Sequence, residues 1–404
     1  MVSTRVVISK DSQRAAVPRV ALISDFVEEQ WPSMELVAGM LYNRLQSDQS
    51  SHFSVTRVCP AMRKRFGRLP FCKSTCHNLD RVTNRFVDYP RWLRNRVDAF
   101  ELFHVIDHSY AQLVHDLPPA RTVVTCHDLD TFRCLLNPQQ EQRPRWFRAM
   151  TGRILSGFKK AAHIIAVSSA TRDEIIGHDL FPPHRVTVIS NGVHPSCSPL
   201  TDLAADARLS QLLPVEAGSA IWILNVGSTM QRKRLDVLLQ VLAAVRRQLP
   251  QVHLLRVGGP LTAAQRRLAR DLGVEKTIVE LPSLSRDVLA AAYRRAALLL
   301  HTSEAEGFGL PLIEAMACGC PVIASDLPVL REVGASAVAY CPVADVEAWR
   351  DVVLHWLGER MRQSNAWILR RDQAIARSAC FSWSEAARST TDVYERVLNQ
   401  SEGI

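Results

Sequence analysis

Short apolar runs alternate with amphipathic helical stretches along nearly the whole chain, and the series occurs twice. The first series contains PRVALISDF (18–26), HFSVTRVC (52–59), LFHVID (102–107), RTVVTCHD (121–128), HIIAVSS (163–169) and RVTVISNGV (185–193). Helical patterns lie between some of them, as in SMELVAGMLYNRL (33–45) and ATRDEIIGHDL (170–180). The second series contains AIWILNVG (220–227), VHLLRVGG (252–259), TIVELPS (277–283), ALLLHTS (297–303) and PVIASD (321–326). Among its helical stretches, residues 234–249 place Leu235, Leu238, Leu239, Leu242, Val245 and Leu249 on one face, at the spacing of a helix packed on a sheet. Strands that alternate with helices pair in parallel, because the helix is the crossover a parallel pair requires. The expectation is an α/β chain of two Rossmann-like, doubly wound domains facing a cleft. In such sheets ligands bind outside the carboxyl ends of the strands.

The Pro- and Asp-containing stretch 194–218 separates the two series. We expect a disordered terminus over 1–17, one domain over 18–195 and a second over 196–375. A helix over 376–404 should return to the first lobe. The pattern breaks near Cys380–Ser382, and Ser384 is a candidate cap for the last helix.

The first residues are too polar for a secretory leader, and no run of apolar residues is long enough to span a bilayer. A cytoplasmic protein is expected, at most peripheral at the inner face of a membrane. The ten cysteines are scattered, Cys126, Cys318, Cys320 and Cys380 among them, and read as reduced, mostly buried thiols. CKSTCH (72–77) lacks the second knuckle a zinc site would need. The net charge of +9 is uneven: eleven Lys or Arg lie between Arg57 and Arg96, against Asp80 and Asp88. Such a stretch fits an anionic lipid surface or a phosphorylated glycan, and equally a solvated basic face. No nucleic-acid motif accompanies it.

Two clusters carry chemistry. After ALLLHTS comes EAEGFGLPLIEAMACG (304–319). Glycines at 307 and 309 let backbone approach a ligand. Pro311 suits a first helical position, and the free amides of a helix start favour an anion. Glu306 precedes the helix, Glu314 lies one turn inside it, and Gly319 should end it. After AIWILNVG comes GSTMQRKR (227–234), with Arg232 and Lys233 at the expected start of the next helix. Cations there oppose the helix dipole, so an anionic ligand would explain them. Each cluster has a plainer reading, an acid complementing a dipole or a solvated basic turn. No G-x-G-x-x-G follows an early strand, which disfavours a dinucleotide-binding dehydrogenase.

In this order and on one domain, the clusters resemble the retaining GT-B glycosyltransferases of family 4. Glu306 and Glu314 fit that family's E-x7-E signature, and NVGSTMQRKRLDVLL is similar to its phosphate-clamping segment. AVSSATRDEII with VTVISNGV, and FSWSEAARSTTDVYERV, are similar to its interdomain stretch and returning helix. The likeness runs from about Pro18 to Leu398 and is weakest between Phe26 and Phe100.

The resemblance implies a nucleotide diphosphate sugar as donor substrate and no separate cofactor. The donor would bind the carboxyl-terminal lobe through Gly227, Ser228, Arg232, Lys233, Glu306, Gly307, Phe308, Gly309, Leu310 and Glu314. Glu306 would contact the sugar and Glu314 the ribose. Arg232 and Lys233 would neutralise the diphosphate, so that no metal is called for. The sequence DLD (128–130) is no donor-side metal motif on this reading, because it belongs to the acceptor lobe. His127 would stand near the anomeric carbon, with Asp128, His108 and Trp31 on the acceptor side. The loop after the first strand, SDFVEEQWPS, departs from the family by lacking glycine, and should shape the acceptor site. The implied activity is transfer of a hexose to a glycan or glycolipid acceptor, in cell-surface polysaccharide synthesis. A sugar-nucleotide epimerase of similar shape and a catalytically silent binding protein remain alternatives.

Overall fold

A computed structural model describes residues 17–66, 73–214 and 220–402; the expected disorder of the amino terminus, but for Val17, and Cys72 of CKSTCH lie outside them. The described residues form two six-stranded sheets. The first comprises β1 (Arg19–Ile23), β2 (Ser54–Val58), β3 (Leu102–Val105), β4 (Thr122–Cys126), β5 (His163–Ala166) and β6 (Val186–Val188), ordered β2-β1-β3-β4-β5-β6. The second comprises β7 (Ile221–Val226), β8 (Val252–Val257), β9 (Ile278–Leu281), β10 (Leu298–His301), β11 (Val322–Ser325) and β12 (Val338–Cys341), ordered β12-β11-β10-β7-β8-β9. Every pair is parallel. Apolar cores flank both sheets, which is why the central strands are apolar at nearly every position.

In the second sheet the strand order reverses between β7 and β10, and in the first between β1 and β3. At these switch points consecutive loops diverge and leave a crevice at the strand ends. Arg232 and Lys233 follow β7, and Glu306 follows β10. The two clusters therefore arise on neighbouring strands at one switch point.

The helix Trp383–Glu402 returns to the first lobe, where Trp383, Ala387, Val393, Tyr394 and Val397 join a core with Val37, Leu41 and Leu45 of the helix Pro32–Asp48. Buried His104 on β3 fixes this attachment, with Nδ1 2.7 Å from the Tyr394 hydroxyl and Nε2 2.7 Å from Thr125 Oγ1. Burial, with help from nearby His127, pushes its pKa down to about 3, so the ring is neutral. Gly192 lets the interdomain strap pass under the helix: a Cβ there would lie 2.3 Å from the Trp383 nitrogen.

Four local expectations change. The helix Trp383–Glu402 begins earlier than expected, so the hydroxyl that accepts from the Glu385 amide (3.4 Å) is Ser382, not Ser384. Strand β12 was not foreseen; it is a half-buried edge whose polar Tyr340 breaks the apolar pattern. The stretch between the series holds a helix, Leu203–Leu212, capped by Asp202. Cys380 is exposed, at the break between the last two helices.

The basic segment is neutralised in part within the fold. Arg57 pairs with Glu35, Arg65 with Asp88, Arg81 and Arg85 with Glu29, and Arg94 with Asp116. Arg96 lies over the Trp92 ring, 4.0 Å from its centroid. Most of these acids come from outside 57–96, which is why a count within the segment overstates its free charge. Among the described residues no helix is long and apolar enough to cross a membrane.

Candidate active site

On the carboxyl-terminal lobe the loops after β7 and β10 are stitched together by backbone. The Glu304 amide donates to the Arg232 carbonyl at 2.8 Å, and Thr302 Oγ1 donates to the carbonyls of Lys233 (3.0 Å) and Arg234 (3.2 Å). This seam turns both cations toward Glu306. Lys233 Nζ hydrogen-bonds Glu306 Oε1, Arg232 Nη1 lies 3.6 Å from Oε2, and His301 Nε2 lies 2.7 Å from Oε1. Burial alone would raise the Glu306 pKa, but Lys233, His301 and Arg232 outweigh it and hold the carboxyl well below its usual range. Glu306 is thus an ionised acid inside a cationic ring.

Arg232 and Lys233 sit immediately before a helix start rather than inside its first turn. They lie in a single 3-10 turn, Gln231–Lys233, and the helix Leu235–Arg246 follows Arg234, whose φ is 46°. Left-handed backbone at Arg234 separates this turn from the helix, and both cations, still near the helix's positive end, are answered by Glu306.

The glycine loop ends in the helix Leu310–Ala317. Gly309 has φ 97° and precedes it; Pro311 is its second residue rather than its first, and Gly319, with φ 69°, follows its end. Among the described residues the amides of Phe308, Gly309 and Leu310 donate to no acceptor, as an anion site needs. The Phe308 ring is turned into the core against Phe381, edge to face at 5.7 Å, and the half-buried Leu310 packs against the cores of both lobes. Glu314 is buried, with Oε1 3.1 Å from Arg286 Nη1 and Oε2 accepting from the Tyr293 hydroxyl at 2.9 Å. Burial raises its pKa, against the pull of Arg286 and Tyr293.

Gly307 is where the lobes touch. A Cβ on it would stand 1.6 Å from the His127 carbonyl oxygen. Its own carbonyl accepts from Ser168 Oγ (2.9 Å) and Thr171 Oγ1 (3.2 Å) of the first lobe. His127 thus faces the glycine loop. Its Nε2 donates to the Ile106 carbonyl at 2.8 Å, which leaves Nδ1 with the lone pair, and burial lowers its pKa. The His127 amide donates to His108 Nδ1 at 3.3 Å, and His108 Nε2 lies 3.7 Å from Asp128 Oδ1. Trp31 is exposed at the start of the helix Pro32–Asp48, and Arg286 Nη2 reaches the Pro32 carbonyl beside it at 3.4 Å. In the acidic loop Glu29 turns inward to Arg81 and Arg85.

Several neighbours of the site escape a sequence reading. Asp130 Oδ2 lies 2.7 Å from Arg232 Nε, so DLD reaches the Arg232–Glu306 cluster although it belongs to the other lobe. His301 reads as part of an apolar strand, while Arg286 and Tyr293 read as a solvated helix start and a core aromatic. Beside the carboxyl ends of β8 and β9 lies a pocket of about 330 Å³, lined by Gly258, Gly259, Pro260, Glu280, Leu281, Pro282 and Ser283. Gly227 lies between this pocket and Lys233: a Cβ on Gly258 would approach the Gly227 carbonyl oxygen to 2.1 Å, and one on Gly227 would stand 3.8 Å from Lys233 Cε. Ser228 follows it in the same loop.

Residues 215–370 match the family model of glycosyl transferases group 1, and residues 41–196 that of glycosyltransferase family 4. The chain belongs to the group 1 glycosyltransferases. Among curated members, it is 29% identical over 294 residues to the serotype-specific mannosyltransferase WbdA of Escherichia coli, covering 71% of this chain and 35% of WbdA. It is 32% identical over 248 residues to the D-inositol 3-phosphate glycosyltransferase of Mycobacteroides abscessus, covering 59% and 53%. This group 1 chain therefore spans only about a third to a half of the curated relatives it matches. Its fold matches sucrose-phosphate synthase from Thermosynechococcus elongatus with a TM-score of 0.72 at 20% identity, over 95% of this chain and 100% of that one. It also matches Anabaena HepE in complex with UDP and glucose, TM-score 0.69 at 15% identity, over 93% and 98%. With its two parallel sheets facing a cleft and its returning helix, this is a GT-B fold.

Proposed function

We propose that this chain is a retaining hexosyltransferase that moves a sugar from a nucleotide diphosphate sugar to a glycan or glycolipid acceptor, in cell-surface polysaccharide synthesis. The observation that carries this reading is the convergence of Arg232 and Lys233 on Glu306, under a glycine loop with unpaired amides and opposite His127. A base in the pocket at Gly258–Ser283 and a sugar at Glu306 would lay the diphosphate across Gly227, within reach of both cations. Fixed positive charge where negative charge develops on a leaving phosphate is the largest catalytic contribution such a site can make. Glu306, kept ionised, holds Lys233 in place and faces the sugar. His127 offers its Nδ1 lone pair to a sugar hydroxyl, and Glu314, with Arg286 and Tyr293 behind it, would receive ribose hydroxyls.

The leaving phosphate can itself take the acceptor proton when attack comes from the same face, so retention needs no second carboxylate. Asp128, His108 and Trp31 would line the acceptor side. The name of WbdA, a mannosyltransferase, supports a hexose as the group transferred, and that of the D-inositol 3-phosphate glycosyltransferase a hydroxyl-rich acceptor. The test is a panel of UDP-, GDP- and ADP-sugars, first by thermal shift and then in transfer assays with oligosaccharide and glycolipid acceptors. We expect one nucleotide series to raise the melting temperature, and nucleoside diphosphate to be released when acceptor is added. Isomerisation of the donor sugar without acceptor would overturn the reading.

A further inference from the structure

Arg256 lies on β8 with no exposed surface, among Leu254, Leu255 and Val257. Its Nη2 donates to the Gly227 carbonyl at 2.5 Å, its Nη1 donates to the Val257 carbonyl, and its Nε has no partner. Glu280, the acid that acts on it, instead accepts from the Leu261 amide at 2.5 Å and lies 3.4 Å from Arg266. Burial outweighs Glu280 and lowers the guanidinium pKa to about 10. A buried cation without a bonded counter-charge costs stability, and an apolar side chain would suit this strand better.

Its place accounts for it. The guanidinium lies beneath Gly227, where β7 ends, and a Cβ on Gly258 would stand 3.3 Å from its Nη1. The pocket at Gly258–Ser283 is on one side of it and Lys233 on the other.

We infer that Arg256 is a positioning residue for the donor diphosphate: a third cation, beyond the ligand's reach, that orients the Gly227 carbonyl and adds its field to those of Arg232 and Lys233. This rests on the sugar-nucleotide reading above. It accounts for a charge where a neutral donor would cap the same two carbonyls.

The test compares R256Q, which keeps amide donors but removes the charge, with R256K, which keeps the charge but loses the fork. UDP, GDP and ADP and their parent nucleosides are titrated against the wild-type chain by calorimetry, and the tightest pair is carried to both variants. R256Q should weaken the diphosphate about tenfold, the scale of one unit charge acting through a partly buried medium, and leave the nucleoside unchanged. R256K should stay within about twofold of wild type for both probes on the same electrostatic ground. Equal losses in the two variants, or a matching loss of nucleoside affinity, would make Arg256 a carbonyl cap and overturn the inference. So would failure of R256Q to fold, since removal of an uncompensated buried charge should leave the ligand-free melting temperature unchanged or higher. Failure of the wild-type chain to bind any of the three diphosphates would instead defeat the underlying reading, and this one with it.

Discussion

Glu306 is the most constrained side chain of the site, with His301, Lys233 and Arg232 around one buried carboxylate. Replacing it by Gln leaves Lys233 without its carboxylate and Arg232 with Asp130 alone, and removes the acid proposed to face the sugar. We expect E306Q and K233A each to lower turnover by about 10²- to 10³-fold, as loss of a single preorganised electrostatic contact does elsewhere, measured as donor consumption at saturating acceptor. The depressed pKa adds a signature in stability. A carboxylate whose folded value lies below its unfolded one stabilises the fold fully above the unfolded value, 4.5 here, and loses that contribution as pH falls through the folded value. The stability difference between wild type and E306Q should therefore be flat above pH 4.5 and shrink below it, as followed by urea unfolding. His127 is also depressed, from 6.5, and neutral at Nδ1. Activity that depends on its lone pair should fall only below pH 6.5, and His127→Gln should flatten that acid limb in a pH–rate profile.

At the scale of elements, most strands were legible because fully buried parallel strands are written as uninterrupted apolar runs, as in ALLLHTS and AIWILNVG. Helix faces were equally plain where Leu235, Leu238, Leu239, Leu242 and Val245 all turned out buried. Boundaries were harder. Arg234 with its left-handed backbone looks like any arginine, so the separate 3-10 turn that carries the cation pair was not foreseen, although the helix starts within one residue of the expected 234. Contacts between distant segments were not legible. Nothing local to DLD says that Asp130 will meet Arg232, and nothing in 57–96 says that Glu29 and Glu35 will answer its arginines. The return of the last helix is tested at Gly192, where the obstructing atoms include the Trp383 backbone and cannot swing away. Gly192→Ala should cost about 1–3 kcal/mol, the usual penalty for overpacking, with a lower urea midpoint and an unchanged slope.

Across the whole molecule, charge and lobe contact set the remaining expectations. With Arg57, Arg65, Arg81, Arg85 and Arg94 already paired, charge reversal at Arg91, Arg94 and Arg96 should leave co-sedimentation with anionic vesicles unchanged. A drop in pelleting would restore the basic segment as a membrane contact. Gly307→Ala should lower activity by roughly 10²-fold, the cost of misplacing catalytic groups by about an ångström, and should lower the melting temperature too, because its Cβ would meet the His127 backbone carbonyl, while circular dichroism keeps the wild-type shape. The loss should fall on kcat, since the pocket at Gly258–Ser283 is untouched.

The meeting of Gly307 with the His127 carbonyl also bears on turnover. The loop proposed above to cradle the donor is bolted by Ser168 and Thr171 to the opposite half, so any parting of the halves has to break these hydrogen bonds. A donor that enters and leaves between the halves would unfasten and refasten this clasp in every cycle. With that opening as the slow step, raising solvent viscosity should lower the steady-state rate by the same factor for different acceptors.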